Sequence, residues 1–221
     1  MTFRIRLLLF LSVLFLSVLF LCGCAELIQP RLTTEIREIS AGEYILDKEH
    51  VSLVFKVDHM GLSKYIGRFN GIDAGLQFDP DNISAAKLEA IVDMTSVDVN
   101  NEKLERALRG RFWFDTDNHP QAFFTTTMVT RNPDGTLLFT GNLTFLGVTE
   151  EVDVQVVFNG AGNNLLTGRY TLGFTAHTVL QRSAFGLDRF IPVVGDKVEL
   201  EVHAEFQRRL KQASLNSTLL F

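Results

Sequence analysis

The side chains that could carry out chemistry are few and scattered along the chain. Its histidines stand at positions 50, 59, 119, 177 and 203, and none lies in an H-E-x-x-H motif or at the spacing of paired metal ligands. His203 and Glu205 match one half of a deaminase zinc motif, but the P-C-x-x-C half is absent. Ser183 stands in Arg-Ser-Ala-Phe-Gly and not in a G-x-S-x-G nucleophile turn. We therefore expect no catalytic residue and no metal site, and a hydrolase is the weaker alternative.

Cys24 is the reactive side chain whose surroundings predict a definite modification. A short basic start is followed by the apolar run Leu7–Leu21, which is shorter than the ~20 residues of a membrane span and typical of a signal peptide. The run ends in Leu21-Cys22-Gly23-Cys24, which resembles the lipobox of bacterial lipoproteins. That resemblance implies cleavage before Cys24 and lipidation of its thiol and amine, as by palmitate. An ordinary signal peptide or an uncleaved anchor helix is the alternative.

The lipobox divides the chain into four parts. We expect a signal peptide at 1–23, a tether at 24–42, a barrel domain at 43–208 and a C-terminal tail at 209–221. The mature chain would keep one cysteine, so no intrachain disulfide can form. No aspartate follows Cys24, and the resemblance therefore favours the outer membrane of the cell envelope, with the protein facing the periplasm.

Charge and composition exclude one class of partner and demand a large apolar interior. The formal net charge is −5 at pH 7, and no basic run is present, so we expect no nucleic-acid partner. The chain has 19 phenylalanines but only three tyrosines and one tryptophan. So many phenylalanines indicate either a packed core or a cavity for an apolar ligand.

The stretch that follows the tether predicts a long strand with one apolar face. Val51, Leu53, Phe55, Val57 and His59 alternate with mostly polar residues, and alternating side chains lie on one face of a strand. Such alternation is typical of an antiparallel sheet with one face in water. The histidine that ends this face is either a satisfied rim or core residue or a polar group at the mouth of a cavity.

Similar patterns predict about eight strands and one helix. Their hairpin spacing suits an antiparallel barrel or a sandwich. A helix that Asn100 or Asn101 would cap places Leu104, Ala107 and Leu108 on one face, and either covers the barrel or forms a lid over its mouth. The predicted strands are residues 44–60, 64–79, 83–95, 121–130, 136–146, 150–159, 167–181 and 195–208.

An ordered series of short motifs runs through residues 43–208. They are Tyr44–Gly61, Gly67-x-Phe69, Ser96-Val97-x-x-Asn100, Leu104-x-x-x-Leu108, Phe112-x-Phe114-Asp115, His119-Pro120-x-x-x-Phe124, residues 141–149, Gly173-Phe174, Arg182-Ser183-x-Phe185-Gly186 and Val194-Gly195-Asp196-x-Val198. Taken together, these motifs resemble the YceI-like family of bacterial lipid-binding proteins. Two positions depart from the family pattern: Val51 replaces a serine, and Ala184 replaces an aspartate.

The resemblance implies an all-β fold, an eight-stranded antiparallel lipocalin-like barrel with one short helix. It also implies that a polyisoprenoid or similar long apolar lipid lies in the lumen, which strands of about ten residues would make ~30 Å long. We expect Phe55, Val57 and Leu88 to face this lumen because of their alternation, and Phe145 and Phe174 because of their motifs.

A polar lipid head would need partners at the end of the lumen. His59 and Arg182 are the candidates, since His59 ends the first apolar strand and Arg182 belongs to a distinctive late motif. In the alternative interpretation Arg182 pairs with a nearby carboxylate and closes the barrel end.

Together these observations predict a lipid-anchored, periplasm-facing carrier or storage protein of the envelope. Its ligand would be an isoprenoid or another long-chain lipid, its membrane contact would run through Cys24, and it would need no cofactor and would not be an enzyme. A packed envelope protein that binds nothing is the main alternative, and a homodimer stays open.

Overall fold

The computed structural model describes residues 32–210. Eight strands close in chain order into an antiparallel barrel, and the described residues contain one α-helix, α1 (Glu102–Arg109). This confirms the predicted all-β, eight-stranded antiparallel barrel with one short helix. The strands are β1 (Gly42–His59), β2 (Ser63–Phe78), β3 (Lys87–Asp98), β4 (Gln121–Arg131), β5 (Leu137–Phe145), β6 (Val148–Asn163), β7 (Tyr170–Gln181) and β8 (Val194–Arg208).

Pairing between the first and last strands closes the barrel. Phe55 of β1 lies opposite Leu200 of β8, and Val57 lies opposite Val198. Every strand within residues 32–210 therefore has a hydrogen-bonded neighbour on both sides. The register between β1 and β8 shifts between Leu46 and Val51, where β1 bulges.

Antiparallel order gives the barrel two distinct ends. One end, here called the closed end, gathers the start of β1, the end of β8 and the β2–β3 connection. The other end, here called the open end, gathers the end of β1, the start of β8 and α1, which lies between β3 and β4. None of the helices in residues 32–210 is long and apolar enough to cross a membrane.

Residues 32–41, which belong to the stretch predicted as a tether at 24–42, pack against the closed end. Thr33 and Ala161 exchange two backbone hydrogen bonds of 2.8 Å each. Ile36 and Ile39 are both buried, because their apolar side chains cover the closed end of the core. The predicted signal peptide, Cys24 and the tail beyond residue 210 lie outside the described residues.

Two strand boundaries differ from the prediction by four residues, and the other boundaries lie closer to it. The strand predicted from residue 83 begins at Lys87, because Ile83–Ala85 forms a 3₁₀ turn. The strand predicted to end at residue 159 continues to Asn163, because Ala161 pairs with Leu172 on one side and with Thr33 on the other.

Candidate functional site

Side chains fill one half of the barrel interior and leave space in the other. In the closed half Tyr44, Phe78, Leu137 and Leu172 are almost completely buried within one core cluster. The open half contains a cavity of about 340 Å³. That volume lies at the lower end of the ~300–1,000 Å³ typical of ligand pockets, so the cavity can hold an apolar group of moderate size.

The wall of this cavity is almost entirely apolar. Among the lining residues the structure describes, polar side-chain atoms come only from His59, Tyr65, Arg182 and Trp113, and no carboxylate, thiol or Ser/Thr hydroxyl is included. Such a wall suits binding of an apolar molecule and offers no nucleophile–base pair. The remaining lining residues are Leu53, Phe55, Val57, Phe69, Val92, Met94, Val99, Leu104, Leu108, Phe114, Ala122, Leu143, Phe145, Leu180, Phe185, Leu187, Val194, Val198 and Leu200.

Five phenylalanine rings form a continuous chain through the open half. The centroid distances are 5.5 Å from Phe55 to Phe69, 5.8 Å from Phe69 to Phe114 and 5.9 Å from Phe114 to Phe145. The last step, from Phe145 to Phe185, is 5.8 Å. Tilted ring pairs at these distances are favourable by about 0.5–1.5 kcal/mol each. The chain therefore gives the cavity a stable aromatic wall.

A glycine makes room for the first of these rings. A Cβ placed on Gly67 of β2 would lie 2.6 Å from Cε1 of Phe55 and 2.7 Å from Cγ1 of Val99. Real Cβ atoms do not approach neighbours so closely, so the Phe55 ring occupies the space that a side chain at residue 67 would need. This contact gives a physical reason for glycine in the Gly67-x-Phe69 motif.

Helix α1 and the turn after it close the side of the cavity. Asn101 caps the helix by accepting a hydrogen bond from the Leu104 backbone N–H, as one of the two predicted caps. Leu104 and Leu108 line the cavity, and Trp113 and Phe114 extend the same wall. The helix therefore covers the barrel laterally and is at the same time part of the binding wall.

Arg182 is a buried cation that braces the open end. Its Nε donates to the carbonyl of Gly195 at 2.8 Å, and its second terminal nitrogen donates to those of Arg189 and Val194 at 2.8 and 2.9 Å. The other terminal nitrogen donates to the Leu187 carbonyl. The side chain is only 6% exposed, so it ties the loop between β7 and β8 together from the inside.

The partners of Arg182 are carbonyl groups, and the predicted alternative of a carboxylate partner is not what the structure shows. Within residues 32–210 its guanidinium takes part in no ion pair. Burial lowers the pKa of Arg182, while the charges of Asp196 and Asp188 act in the opposite direction. Asp196 instead accepts hydrogen bonds from the backbone N–H and hydroxyl of Ser183, at 2.9 and 2.8 Å.

His59 lies at the rim of the cavity. It ends β1, faces Ser63 on β2 and Val194 on β8, and is exposed to solvent while it also lines the cavity. The cavity therefore opens beside His59. Of the two interpretations made from the sequence, this geometry fits a polar group at a cavity mouth.

The residues predicted for the lumen separate into two groups. Phe55, Val57 and Phe145 line the cavity. Leu88 packs against the core of the closed half, and Phe174 is buried in it beside other rings. Leu88 and Phe174 therefore lie away from this cavity. The prediction missed this because alternation indicates which face of a strand a side chain takes but not how deep in the barrel it lies.

Several important lining residues were missing from the predicted set. Phe69, Phe114 and Phe185 stand in motifs that carry the family resemblance, so the motifs could have identified them. Trp113 lies between Phe112 and Phe114 of one such motif, and the prediction did not include it. Leu200 and Val198 lie directly opposite Phe55 and Val57, and only the closure of the barrel brings them there.

Of the histidines in residues 32–210, His59 alone lines the cavity. His203 lies on the exposed outer surface, 2.9 Å from Glu201. His50, also exposed, lies 2.9 Å from Asp47, and Glu205 comes within 4.8 Å of both. His203 therefore pairs with Glu201, whereas Glu205 lies near Asp47 and His50.

Comparison with known proteins identifies relatives over almost the whole barrel. The model of the YceI-like domain matches residues 44–206. A UPF0312 protein of Vibrio campbellii is 35% identical over 170 residues, which cover 75% of this chain and 87% of that protein. A UPF0312 protein of Shewanella oneidensis is 34% identical over 173 residues, covering 77% and 90%.

Solved structures share the fold. The crystal structure of Burkholderia cenocepacia BcnA is 24% identical, with a TM-score of 0.66, and covers 72% of this chain and 98% of that one. A polyisoprenoid binding domain from Saccharophagus degradans, implicated in plant cell wall breakdown, is 14% identical with a TM-score of 0.57, covering 77% and 100%. The domain match, the relatives and the shared barrel together show that the chain belongs to the YceI-like domain family.

Proposed function

We propose that this protein binds the apolar chain of a polyisoprenoid, or of a similar long lipid, in the open half of its barrel. The observation that carries the proposal is the cavity of about 340 Å³ with its almost wholly apolar wall. The family and a structural neighbour that is a polyisoprenoid binding domain support it. Binding without catalysis fits a wall whose described residues include no Ser or Thr hydroxyl, no thiol and no carboxylate.

The cavity limits how much of the lipid can be inside. Each buried methylene contributes about 0.8 kcal/mol, so a five-carbon unit contributes very roughly 4 kcal/mol before an association cost of ~4–15 kcal/mol. A few buried units would therefore suffice for binding. Because side chains fill the closed half, we propose that only the end of a long chain enters, in place of the full-length occupancy that a ~30 Å lumen would allow.

A polar head group would lie at the open end. His59 is exposed there, and the Arg182 guanidinium contributes a positive charge whose nearest partners are neutral carbonyls. We propose that this charge favours a head that is anionic or rich in acceptors. Most of the Arg182 N–H groups already donate to protein carbonyls, so its contribution to head-group binding would be electrostatic. Direct hydrogen bonds to the head group would come from His59.

The proposed place of action is the cell envelope. Lipidation at Cys24 would anchor the protein, most simply to the outer membrane with the barrel in the periplasm, and several acyl chains together make stable anchoring. A carrier there would keep an apolar lipid out of water. Cys24→Ser should release the protein into the soluble fraction or block its processing, and unchanged membrane fractionation of that variant would contradict the proposed anchor.

The only tryptophan of the chain reports on the cavity directly. Trp113 lines it, so titration with a prenyl lipid should change the tryptophan fluorescence in a saturable way. The variant Ala122→Phe places a ring inside the cavity and should abolish this change, while Thr125→Phe, on the exposed face of the same strand, should keep it. Equal titrations for the two variants would show that the ligand does not bind here.

A further inference from the structure

A ring of exposed apolar side chains surrounds the mouth of the cavity. We call it the apolar rim. Its most exposed member is Leu62, at 82%. Soluble proteins seldom gather many large apolar side chains around one opening without a binding role. The rim residues are Met60, Leu62, Phe112, Phe190, Ile191 and Val193.

The rim is built by three separate segments that contact one another. The backbone N–H of Met60 in the β1–β2 turn donates to the Val193 carbonyl at 2.7 Å, which joins that turn to the loop before β8. The Phe190 ring stacks on Trp113 with centroids 6.1 Å apart. The Arg189 guanidinium lies 4.3 Å above the Phe112 ring. The three segments therefore form one continuous surface.

The composition of this surface suits the boundary between water and lipid. Tryptophan, phenylalanine and leucine with an arginine nearby are the residues that peripheral proteins place at the headgroup level of a bilayer. The charges of the same segments are mixed, with Arg189 beside Asp188 and Lys64 paired with Glu199. Contact with a bilayer would therefore depend on apolar insertion more than on attraction to anionic lipid.

The rim is continuous with the cavity, which identifies what it would contact. Trp113 belongs both to the cavity wall and to the aromatic stack under the rim, and His59 lies directly before Met60. A lipid chain that leaves a bilayer beneath the rim would enter the cavity without exposure to water. A bilayer therefore fits both the chemistry of the rim and its position.

The described N-terminal segment lies at the opposite end of the barrel. Thr33 is fixed to Ala161 near the end of β6, at the closed end. Nine residue steps separate Thr33 from Cys24, and they span at most about 30 Å when fully extended. The 18 residues of β1 extend over roughly 40 Å along a barrel axis with the usual strand tilt. A barrel standing with its rim on the anchoring bilayer would thus hold Thr33 beyond the reach of the anchor.

We propose that the apolar rim docks on a lipid bilayer, and that this bilayer is a second one, distinct from the bilayer that holds the Cys24 anchor. The proposal rests on the proposed anchoring and lipid binding. The protein would then take up or deliver its lipid at this second bilayer, which lies opposite the membrane that holds the anchor.

Bridging of two vesicle populations tests this geometry. The full-length lipoprotein, purified from membranes, is reconstituted into fluorescent vesicles of phosphatidylethanolamine and phosphatidylglycerol and mixed with dense, protein-free vesicles of the same lipids. We expect the fluorescent vesicles to sediment with the dense ones. Leu62→Asp, which removes an apolar side chain and adds a charge at the rim, should weaken this bridging about tenfold or more. Leu166→Asp is the matched control, because Leu166 is 97% exposed on the loop before β7 at the closed end.

Several results would overturn the proposal. Equal bridging by wild type and Leu62→Asp would show that the rim does not contact lipid, and equal loss in Leu166→Asp would show that the effect is not specific to the rim. A Leu62→Asp variant that converts a dimer into a monomer at matched concentration would assign the rim to a second copy of the chain.

The same preparations separate this proposal from the proposed function. Lipid extracted from the protein is identified by mass spectrometry. Protein without bound lipid that still bridges vesicles contradicts the binding function and supports the docking surface. Protein recovered in the soluble fraction contradicts the anchor. Its direct sedimentation with dense vesicles then tests the rim, and absence of sedimentation overturns the docking surface.

Discussion

Arg182 holds the open end of the barrel with a single side chain. Replacing it with alanine would leave four carbonyls, two in the β7–β8 loop and two at the start of β8, without their donor inside a mostly apolar region. We therefore expect the free energy of unfolding to fall by about 3–5 kcal/mol. Arg182→Lys should recover only a small part of the lost stability, because one ammonium group cannot reach all the carbonyls that the planar guanidinium group spans. Urea unfolding of the three proteins measures this, and a loss below about 0.5 kcal/mol for alanine would contradict the bracing role.

Gly67 tests the packing of the first ring in the aromatic wall. Gly67→Ala places a Cβ against Phe55 and Val99, so we expect a loss of about 1–3 kcal/mol in stability, as in other overpacked cores, and weaker lipid binding because the Phe55 ring moves.

Gly75 is the matched control, since it lies on the same strand and a Cβ there would meet no atom within 4 Å. Gly75→Ala should leave stability unchanged or raise it slightly. Thermal unfolding compares the two variants, and equal effects would show that the contact with Phe55 does not constrain residue 67.

At the scale of elements, alternation in the sequence predicts the strands and the face that each side chain takes. It does not predict how deep in the barrel a side chain lies. The face of β1 with Phe55 and Val57 follows from the sequence alone, because a period of two fixes the face. Leu88 has the same signature, yet it lies in the closed half. Depth depends on strand register and barrel closure, which are set by pairs such as Phe55 with Leu200, and these residues are far apart in the chain.

The segment before β1 shows a second limit of sequence patterns. Ile36 and Ile39 are two apolar residues in a short polar stretch, too few to define a helix or strand period. Only the presence of the barrel end makes their burial favourable. The Tyr44 hydroxyl then joins this segment to β1 by donating to the Ser40 carbonyl.

The burial of the Tyr44 hydroxyl predicts a pH dependence of stability. Burial raises the pKa of Tyr44 from 10.0 to about 12, with a further contribution from Tyr170. The unfolded chain would lose this proton near pH 10 and the folded chain only near pH 12, so stability is fully present below pH 10 and falls as pH rises toward 12, by at most about 2–3 kcal/mol. Tyr44→Phe should remove this part of the decline in chemical unfolding measured across that range. An unchanged pH profile would contradict the buried, protonated hydroxyl.

At the scale of the whole molecule, side chains fill only one half of the barrel interior. The sequence motifs indicate the family and an apolar interior, and the structure adds that the interior is divided between a packed closed half and a cavity of about 340 Å³ at the open half. A packed core gives stability without a ligand, while the open half gives a site whose wall, rim and mouth all suit an apolar chain. This division explains how one barrel can be both a stable fold and a binding protein.

Native mass spectrometry of the freshly purified protein tests the central claim most directly. The account predicts a species heavier than the processed chain that releases a prenyl or similar long-chain lipid on activation. Phe55→Asp, in the cavity wall, should be recovered without that lipid, while Phe123→Asp, 41% exposed on the outside of β4, should keep it. Folded wild-type protein that carries no lipid, or a folded Phe55→Asp variant that carries as much as wild type, would contradict lipid binding in the barrel.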